Sequence, residues 1–526
     1  MTVNSLSFLI FFVLVAIVYF LPFLKKYQWI VLLAASYLFF LSFGVRPVIY
    51  ILITTVTTYL ATRKLGRLRA EQISPKEREN MKSEDIRKWK DKNKKKRNHV
   101  ILEHVLINVG LLILLKYGNF FISNMNKVLE QTSIGLLPSL SLAVPLGISY
   151  YTLQSIGYVV DVSKGKVRCE KNIGKTALFL SYFPQMTQGP IGRFGQLGKQ
   201  LFSQHAFSYR NLSFGCQRIL WGFFKKTVIA DRLKPLVDEI LINYQSYSGM
   251  TLFLGCVYMS IQAYADFSGY MDIIAGFSEI LGIHVEENFK RPFFSKSLAE
   301  YWRRWHITLS SWFRDYLFYP LSLSKTAVKL GRNGKKVLPV RIAKLIPSVY
   351  ALCIVWFTTG FWHAASWRYI LWGVCNGVVL IASTCLTPQY QAVKKGLHIR
   401  EGSRWWQLVC MARTFLLVSF LKVFPGAEST GDALGIIKRI FCRFSPQLSY
   451  EAWFPGMAKS GLAYILFGLI LFFAVSCIQE HRQVRDWLSA RPFAVRWALY
   501  LMLLCSVLSF GILVTDVSGG FEYAQY

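Results

Sequence analysis

Apolar runs long enough to cross a bilayer recur along most of this chain, and no other sequence feature constrains its fold so tightly. Residues 6–24 pass without a charge until Lys25 and Lys26 end the run. About twenty apolar residues of helix cover the roughly 30 Å hydrocarbon core of a membrane. A backbone in lipid must also satisfy its own hydrogen bonds. Candidate spans fall at 6–24, 28–45, 47–62, 100–122, 140–160, 173–187, 212–230, 250–283, 345–361, 366–386, 405–424, 461–478 and 494–515. Some are short, and 250–283 is long enough to tilt or break. The expected fold is all-α: a polytopic membrane protein of about eleven transmembrane helices plus one or two re-entrant or interfacial helices, read as one domain over 1–526.

Composition agrees. Hydrophobic residues make up 53% and charged residues 17%, where a soluble domain carries about a quarter charged. The mean hydropathy is +0.35. On a soluble protein a net charge of +33 would suggest nucleic acid. Here the basic residues lie between apolar runs, which reads as positive-inside topology and attraction to anionic membrane lipids, so no nucleic-acid partner is expected. Residues 1–7 carry no Lys or Arg and no small-residue cleavage site follows the first run, so 6–24 reads as a retained span and not a signal peptide.

Charge also orients the chain. Segment 63–99 holds fifteen Lys or Arg against six Asp or Glu, which makes it a basic cytoplasmic loop, helical and surface-bound. Counting back three spans puts the N-terminus outside and the Lys25–Lys26 turn inside. Segment 325–344 has seven basic residues and no acid, and should also be cytoplasmic. Together with 297–321 it forms an interfacial or re-entrant region over 297–344.

Groups that could do chemistry are costly in such runs. An ionised side chain at the bilayer centre costs about 3 kcal/mol on insertion scales. The ten cysteines are scattered singly with no CxxC pair, and no HExxH, GxSxG or phosphate-cradling glycine loop is present. No metal site is expected. Of eight histidines, six read as interface residues. His306 lies in SLAEYWRRWHITLSSWFRDYLFYPL, where Trp302, Trp305, Leu309, Trp312, Phe313 and Tyr316 recur at three- and four-residue steps, the stripe of an amphipathic helix. Arg303 and Arg304 lie off that stripe. His363 sits in TTGFWHAASWRYILWG beside Trp362. By the topology His306 lies toward the cytoplasm and His363 deeper or toward the outside, so the pair could line a passage; the plainer alternatives are an interfacial amphipathic helix with His306 at its edge and a hydrogen-bonded core role for His363. In the run QAYADFSGYMDIIAGF, Asp266 and Tyr270 share a helix face. Acids there face a wet cavity or pair with an arginine.

The ordered blocks VPLGISYYTLQSIGYVVDV, SYFPQMTQGPIGRF, YADFSGYMDIIAGFSEILGIHVEENFKRPFFSKSLAEYWRRWHITLSSWFRDYLFYPL and TTGFWHAASWRYILWG resemble the membrane-bound O-acyltransferases, in the bacterial branch of the alginate O-acetylation protein and the teichoic-acid D-alanyl transferase. The terminal GGFEYAQY resembles that branch's aromatic tail. The resemblance implies helices enclosing a tunnel in which a cytoplasmic acyl thioester, acetyl-CoA, meets a hydroxyl arriving from outside. It places the family's near-invariant histidine on His363 and the second on His306. Trp302, Trp305, Trp362, Asp266, Tyr270, Arg303 and Arg304 become supporting or channel-lining candidates. Ala364 stands where the family usually has glycine. The acceptor it implies is an extracellular polysaccharide or cell-wall glycan, and the partner an extracytoplasmic acyl-handling protein. The alternative within the family is D-alanyl transfer to teichoic acid, which calls for an acyl carrier protein. A transporter or flippase without chemistry and a membrane scaffold are the readings from other classes.

Overall fold

The computed structural model describes residues 2–3, 5–71, 83–132, 135–142 and 144–512. The tail GGFEYAQY and the centre of segment 63–99 lie outside the described residues. Among those described, every regular element is helical. The chain divides into two compact units, Met1–Leu212 with Phe277–Glu286 and Ser213–Gly276 with Glu287–Tyr526.

The first unit opens with α1 (Leu6–Tyr19) and α2 (Gln28–Leu41), 14 residues each. At 1.5 Å per residue each covers only about 21 Å, short of a bilayer core. The two are bent by 99° at their junction. Their inner faces join in one aromatic cluster, in which Phe8 meets Phe39 at 5.6 Å and Phe277 at 5.2 Å, both edge-on. Next come α3 (Val45–Ala70) and α4 (Ser83–Leu112), the second continuing through a π-helical turn to Leu129. The basic segment between them is therefore largely the helical extension of both. The helices α5 (Ile148–Lys164) and α6 (Ile173–Ser181) follow, and α5 is buried along almost its whole length.

The second unit is reached along α7 (Tyr209–Phe223) and α8 (Gly249–Ile280), a continuous helix of 32 residues over the run expected to tilt or break. Its remaining helices of interest are α9 (Leu298–Arg304), α10 (Ile307–Phe313), α11 (Val340–His363), α12 (Trp367–Cys385), α13 (Arg404–Leu421), α14 (Lys459–Gln479) and α15 (Phe493–Phe510). An apolar core gathers Phe224, Ile229, Leu252, Trp372, Leu421 and Val507. Beside it the charges of the apolar runs neutralise one another. Asp272 accepts from Lys225 at 2.6 Å and Arg218 at 2.9 Å, and Lys226 bridges Asp231 and Asp266 at 2.8 Å each. Unpaired, such buried ions would be strongly destabilising.

Seven helices among the described residues are long and apolar enough to cross a membrane, or eight if the bent pair counts as one. About eleven were expected. The runs at 140–160 and 173–187 form helices of 17 and 9 residues sunk into the first unit, and 212–230 passes from α7 into a π-helical segment over Phe224–Ala230 whose residues are all buried. An apolar run records that its residues leave water; protein can replace lipid as the solvent.

Candidate functional site

The stripe over 297–321 does not fold as one helix. It breaks between α9 and α10, and His306 sits at the break with φ of 46°, in the left-handed region. A residue with a Cβ adopts that conformation only where its surroundings fix it. Asn288 does so. Its carbonyl accepts from Ile307 N–H at 3.0 Å, and its Oδ1 accepts from Thr308 N–H at 3.1 Å and Thr308 Oγ1 at 2.9 Å. Asn288 thereby caps α10 from outside the helix, the service His306 itself does not perform.

The same Oδ1 lies 3.3 Å from His306 Nδ1. An oxygen already accepting two hydrogen bonds can only accept, so Nδ1 carries the proton and Nε2 the lone pair. Phe267 presses edge-on against the ring at 5.0 Å between centroids. His306 is buried, and burial pushes its imidazole down to about 3, so it is neutral at physiological pH.

His363 is the last residue of α11, and Ala364 after it turns extended at φ −151°. The turn back into α12 is tight because two glycines let the helices meet. A Cβ on Gly360 would stand 2.4 Å from the Tyr369 carbonyl oxygen, and one on Gly373 would stand 2.4 Å from that of Trp356. The hairpin encloses the His363 ring in aromatics. Trp362 and Trp372 lie edge-on at 5.1 Å each, and Tyr369 lies near-parallel at 6.4 Å. Extended backbone at 364 needs no glycine, so Ala364 is accommodated without strain.

The two imidazoles meet, with ring centroids 6.4 Å apart. Sequence reasoning put them at different depths with spans between; the break at 305–306 and the α11–α12 hairpin bring both ends to one place. Trp362 is in contact with both rings, 6.2 Å from His306. Trp302 closes the enclosure against Trp356 at 4.8 Å and Trp372 at 5.7 Å. Trp305 stacks on Tyr301 at 5.5 Å and meets Phe289 edge-on at 5.0 Å.

Asp266 faces Lys226, while its neighbour Phe267 faces His306. Tyr270 is buried in α8. Arg303 is exposed. Arg304 pairs with Glu300 at 2.9 Å and Glu480 at 3.1 Å; burial would raise the Glu480 carboxyl, but hydrogen bonds and charge from Arg291 and Arg304 hold it below its ordinary range. Among the described residues no three His, Cys, Asp or Glu side chains gather as a metal would need.

Sequence reasoning noted Trp372 as a chain neighbour of His363 without making it a site candidate, and missed Asn288, Tyr369 and Lys422, whose ammonium stands 5.0 Å over the Trp305 ring. Tyr369 could have been found, because it follows His363 closely and falls three before Trp372 on one helix face. A lysine ending the apolar run 405–424 was a second available signal. Nothing in the sequence ties Asn288 to His306.

Residues 172–332 match the membrane-bound O-acyltransferase family. The probable alginate O-acetylase AlgI of Pseudomonas putida is 30% identical over 428 residues, covering 81% of this chain and 77% of that one. The peptidoglycan O-acetyltransferase of Helicobacter pylori is 28% identical over 360 residues, 64% of this chain and 63% of that one. The teichoic acid D-alanyltransferase of Bacillus subtilis is 28% identical over 282 residues, 52% of this chain and 67% of that one.

Proposed function

The chain belongs to the membrane-bound O-acyltransferase family, and on that premise we propose that it moves an acetyl group from a cytoplasmic thioester, acetyl-CoA, to a hydroxyl of an extracellular polysaccharide or cell-wall glycan. The observation that carries this reading is the pair of imidazoles 6.4 Å apart inside an enclosure of tryptophans. Acyl transfer needs a base for the acceptor hydroxyl and a dry place where that hydroxyl and the thioester meet, since neither polar partner crosses lipid cheaply.

In this mechanism His363 takes the proton of the acceptor hydroxyl as its oxygen attacks the thioester carbonyl. The tetrahedral intermediate collapses, the C–S bond breaks, and the thiolate leaves with the proton returned from the imidazolium. His306 has a narrower role. With Nδ1–H committed to Asn288 and the ring neutral, Nε2 only accepts. It therefore holds an O–H of the acceptor or an amide N–H of the donor, and not the thioester carbonyl oxygen. Trp302, Trp305 and Trp362 keep water from the thioester.

The acetyl reading over D-alanyl rests on the longer matches to the O-acetylases: 428 and 360 residues, against 282 for the D-alanyl transferase. An extracytoplasmic acyl-handling protein is the expected partner. D-alanyl transfer from an acyl carrier protein is the second reading.

The test is glycan O-acetylation in cells carrying His363→Ala at wild-type membrane levels. A loss of 10²–10⁴-fold is expected for a missing general base, with a smaller loss for His306→Ala. Full acetylation in the His363→Ala cells would remove the imidazole from the chemistry. Radiolabelled D-alanine reaching the glycan in place of acetyl would install the second reading.

A further inference from the structure

We propose that the first unit carries a site for one anionic phospholipid, with an acyl chain in an apolar groove between α2, α3 and α6 and the phosphate at the groove's basic end. The groove holds about 420 Å³ and is walled by Ile30, Leu33 and Ala34 of α2, Leu52 and Val56 of α3, and Ala177 of α6. Tyr37 and Thr55 also line it, but their hydroxyl oxygens are buried behind its surface. Such a wall offers nothing to a sugar or a peptide backbone, and fits a hydrocarbon chain.

One end of the groove gives the occupant its charge. Gly174 in the first turn of α6 faces Trp29 and Leu33 in the first turns of α2, where a Cβ would lie 3.2 and 3.5 Å from them. Two helix N-termini therefore meet there, each a positive dipole end; in α6 the Gly174 and Lys175 N–H groups already donate to Asn172 Oδ1 at 2.8 and 3.4 Å, so the lysines carry the attraction. Lys175 extends over the rings of Phe202 at 5.1 Å and Trp29 at 5.9 Å. Lys171 is exposed, and its carbonyl oxygen, accepting from Tyr59 Oη at 3.1 Å, ties the same end to α3. Lys25 and Lys26 are exposed in the turn that leads into α2. The acid at this end, Glu170, is engaged by the backbone N–H groups of Lys171 at 2.7 Å and Asn172 at 2.9 Å. Four lysines against one acid favour a headgroup with net negative charge over a zwitterion, and a tryptophan at the junction of chain and headgroup suits the interfacial level.

The site is independent of the histidine pair, so its test stands apart from the acyl-transfer reading. The measurement is native mass spectrometry of the delipidated full-length protein in detergent, given equal concentrations of dioleoylphosphatidylglycerol and dioleoylphosphatidylcholine. The wild type should retain one phosphatidylglycerol, favoured about tenfold over phosphatidylcholine. Lys171→Glu with Lys175→Glu should bring the two lipids near parity, and Ala34→Trp, filling the groove from its exposed side, should remove both adducts. Equal retention of the two lipids by the wild type would overturn the proposal, as would a phosphatidylglycerol adduct undiminished in Ala34→Trp. Where a variant fails to fold, the wild-type competition alone decides.

Discussion

At the scale of single residues, Asn288 governs how His306 can act. It caps α10, fixes the left-handed turn, and accepts the Nδ1–H hydrogen bond of His306 on its Oδ1. Asn288→Ala should release both the turn and the tautomer and lower turnover by roughly ten- to a hundredfold, as a misplaced catalytic group does, while protein remains in the membrane. The pH profile separates the two histidines. The folded His306 titrates near 3, far below its unfolded value near 6.5. From pH 5 upward it therefore stays neutral and contributes no limb to the rate profile. His306→Gln should lower the rate and leave the midpoint of any acid limb where it was; a moved midpoint would mean that His306 itself titrates. His363 stood out in the sequence because an imidazole among tryptophans in an apolar run is expensive and therefore conspicuous; His306 lies on an amphipathic stripe, where composition alone favoured an interfacial helix, and the family resemblance singled it out. Asn288 was not legible. It lies 18 residues before His306, and only the fold closes that distance.

At the scale of elements, hydrophobic periodicity marked where helices lie and failed where a backbone break overrides it. The stripe over 297–321 predicts one helix; the left-handed His306 splits it into α9 and α10, because Asn288 supplies from elsewhere the cap that makes a break affordable. The α11–α12 hairpin was visible as two runs, but not its closeness, which rests on Gly360 and Gly373 facing backbone carbonyls. Gly360→Val would drive side-chain carbon into the Tyr369 carbonyl. Overpacking of this kind costs typically 1–3 kcal/mol, so the purified variant should melt several degrees lower and lose activity as His363 shifts. Ala364→Gly is the control at the next turn. Position 364 is extended, so this variant should keep its activity, with at most a small loss of stability from added chain freedom. If Gly360→Val melted with the wild type, the hairpin's position would owe nothing to that close approach.

At the scale of the whole molecule, the second unit carries its own test of orientation. Three connectors are rich in cations: 325–344, 386–404 with Lys394, Lys395, Arg400 and Arg404, and 480–492 with Arg482, Arg485 and Arg491. They are separated by helices that alternate in the sense required, α11 and α12 between the first two, and α13 and α14 between the second and third. On the proposed orientation all three are cytoplasmic, and the connectors 364–366 and 427–458 are external. His363 then lies roughly 30 Å along α11 from Lys344, at 1.5 Å per residue, so the imidazoles sit near the outer end of the helix. The acceptor glycan has the short approach and the acyl thioester the long one. Topology reporters inserted after residues 334, 396 and 483 should read cytoplasmic, and those after 365 and 429 external. The readout needs only insertion into the membrane, so it survives loss of activity at 365. A cytoplasmic signal at 365 with an external one at 334 would invert the unit. The imidazoles would then face the cytoplasm, the thioester would have the short path, and the glycan hydroxyl would have to be reached through a relay.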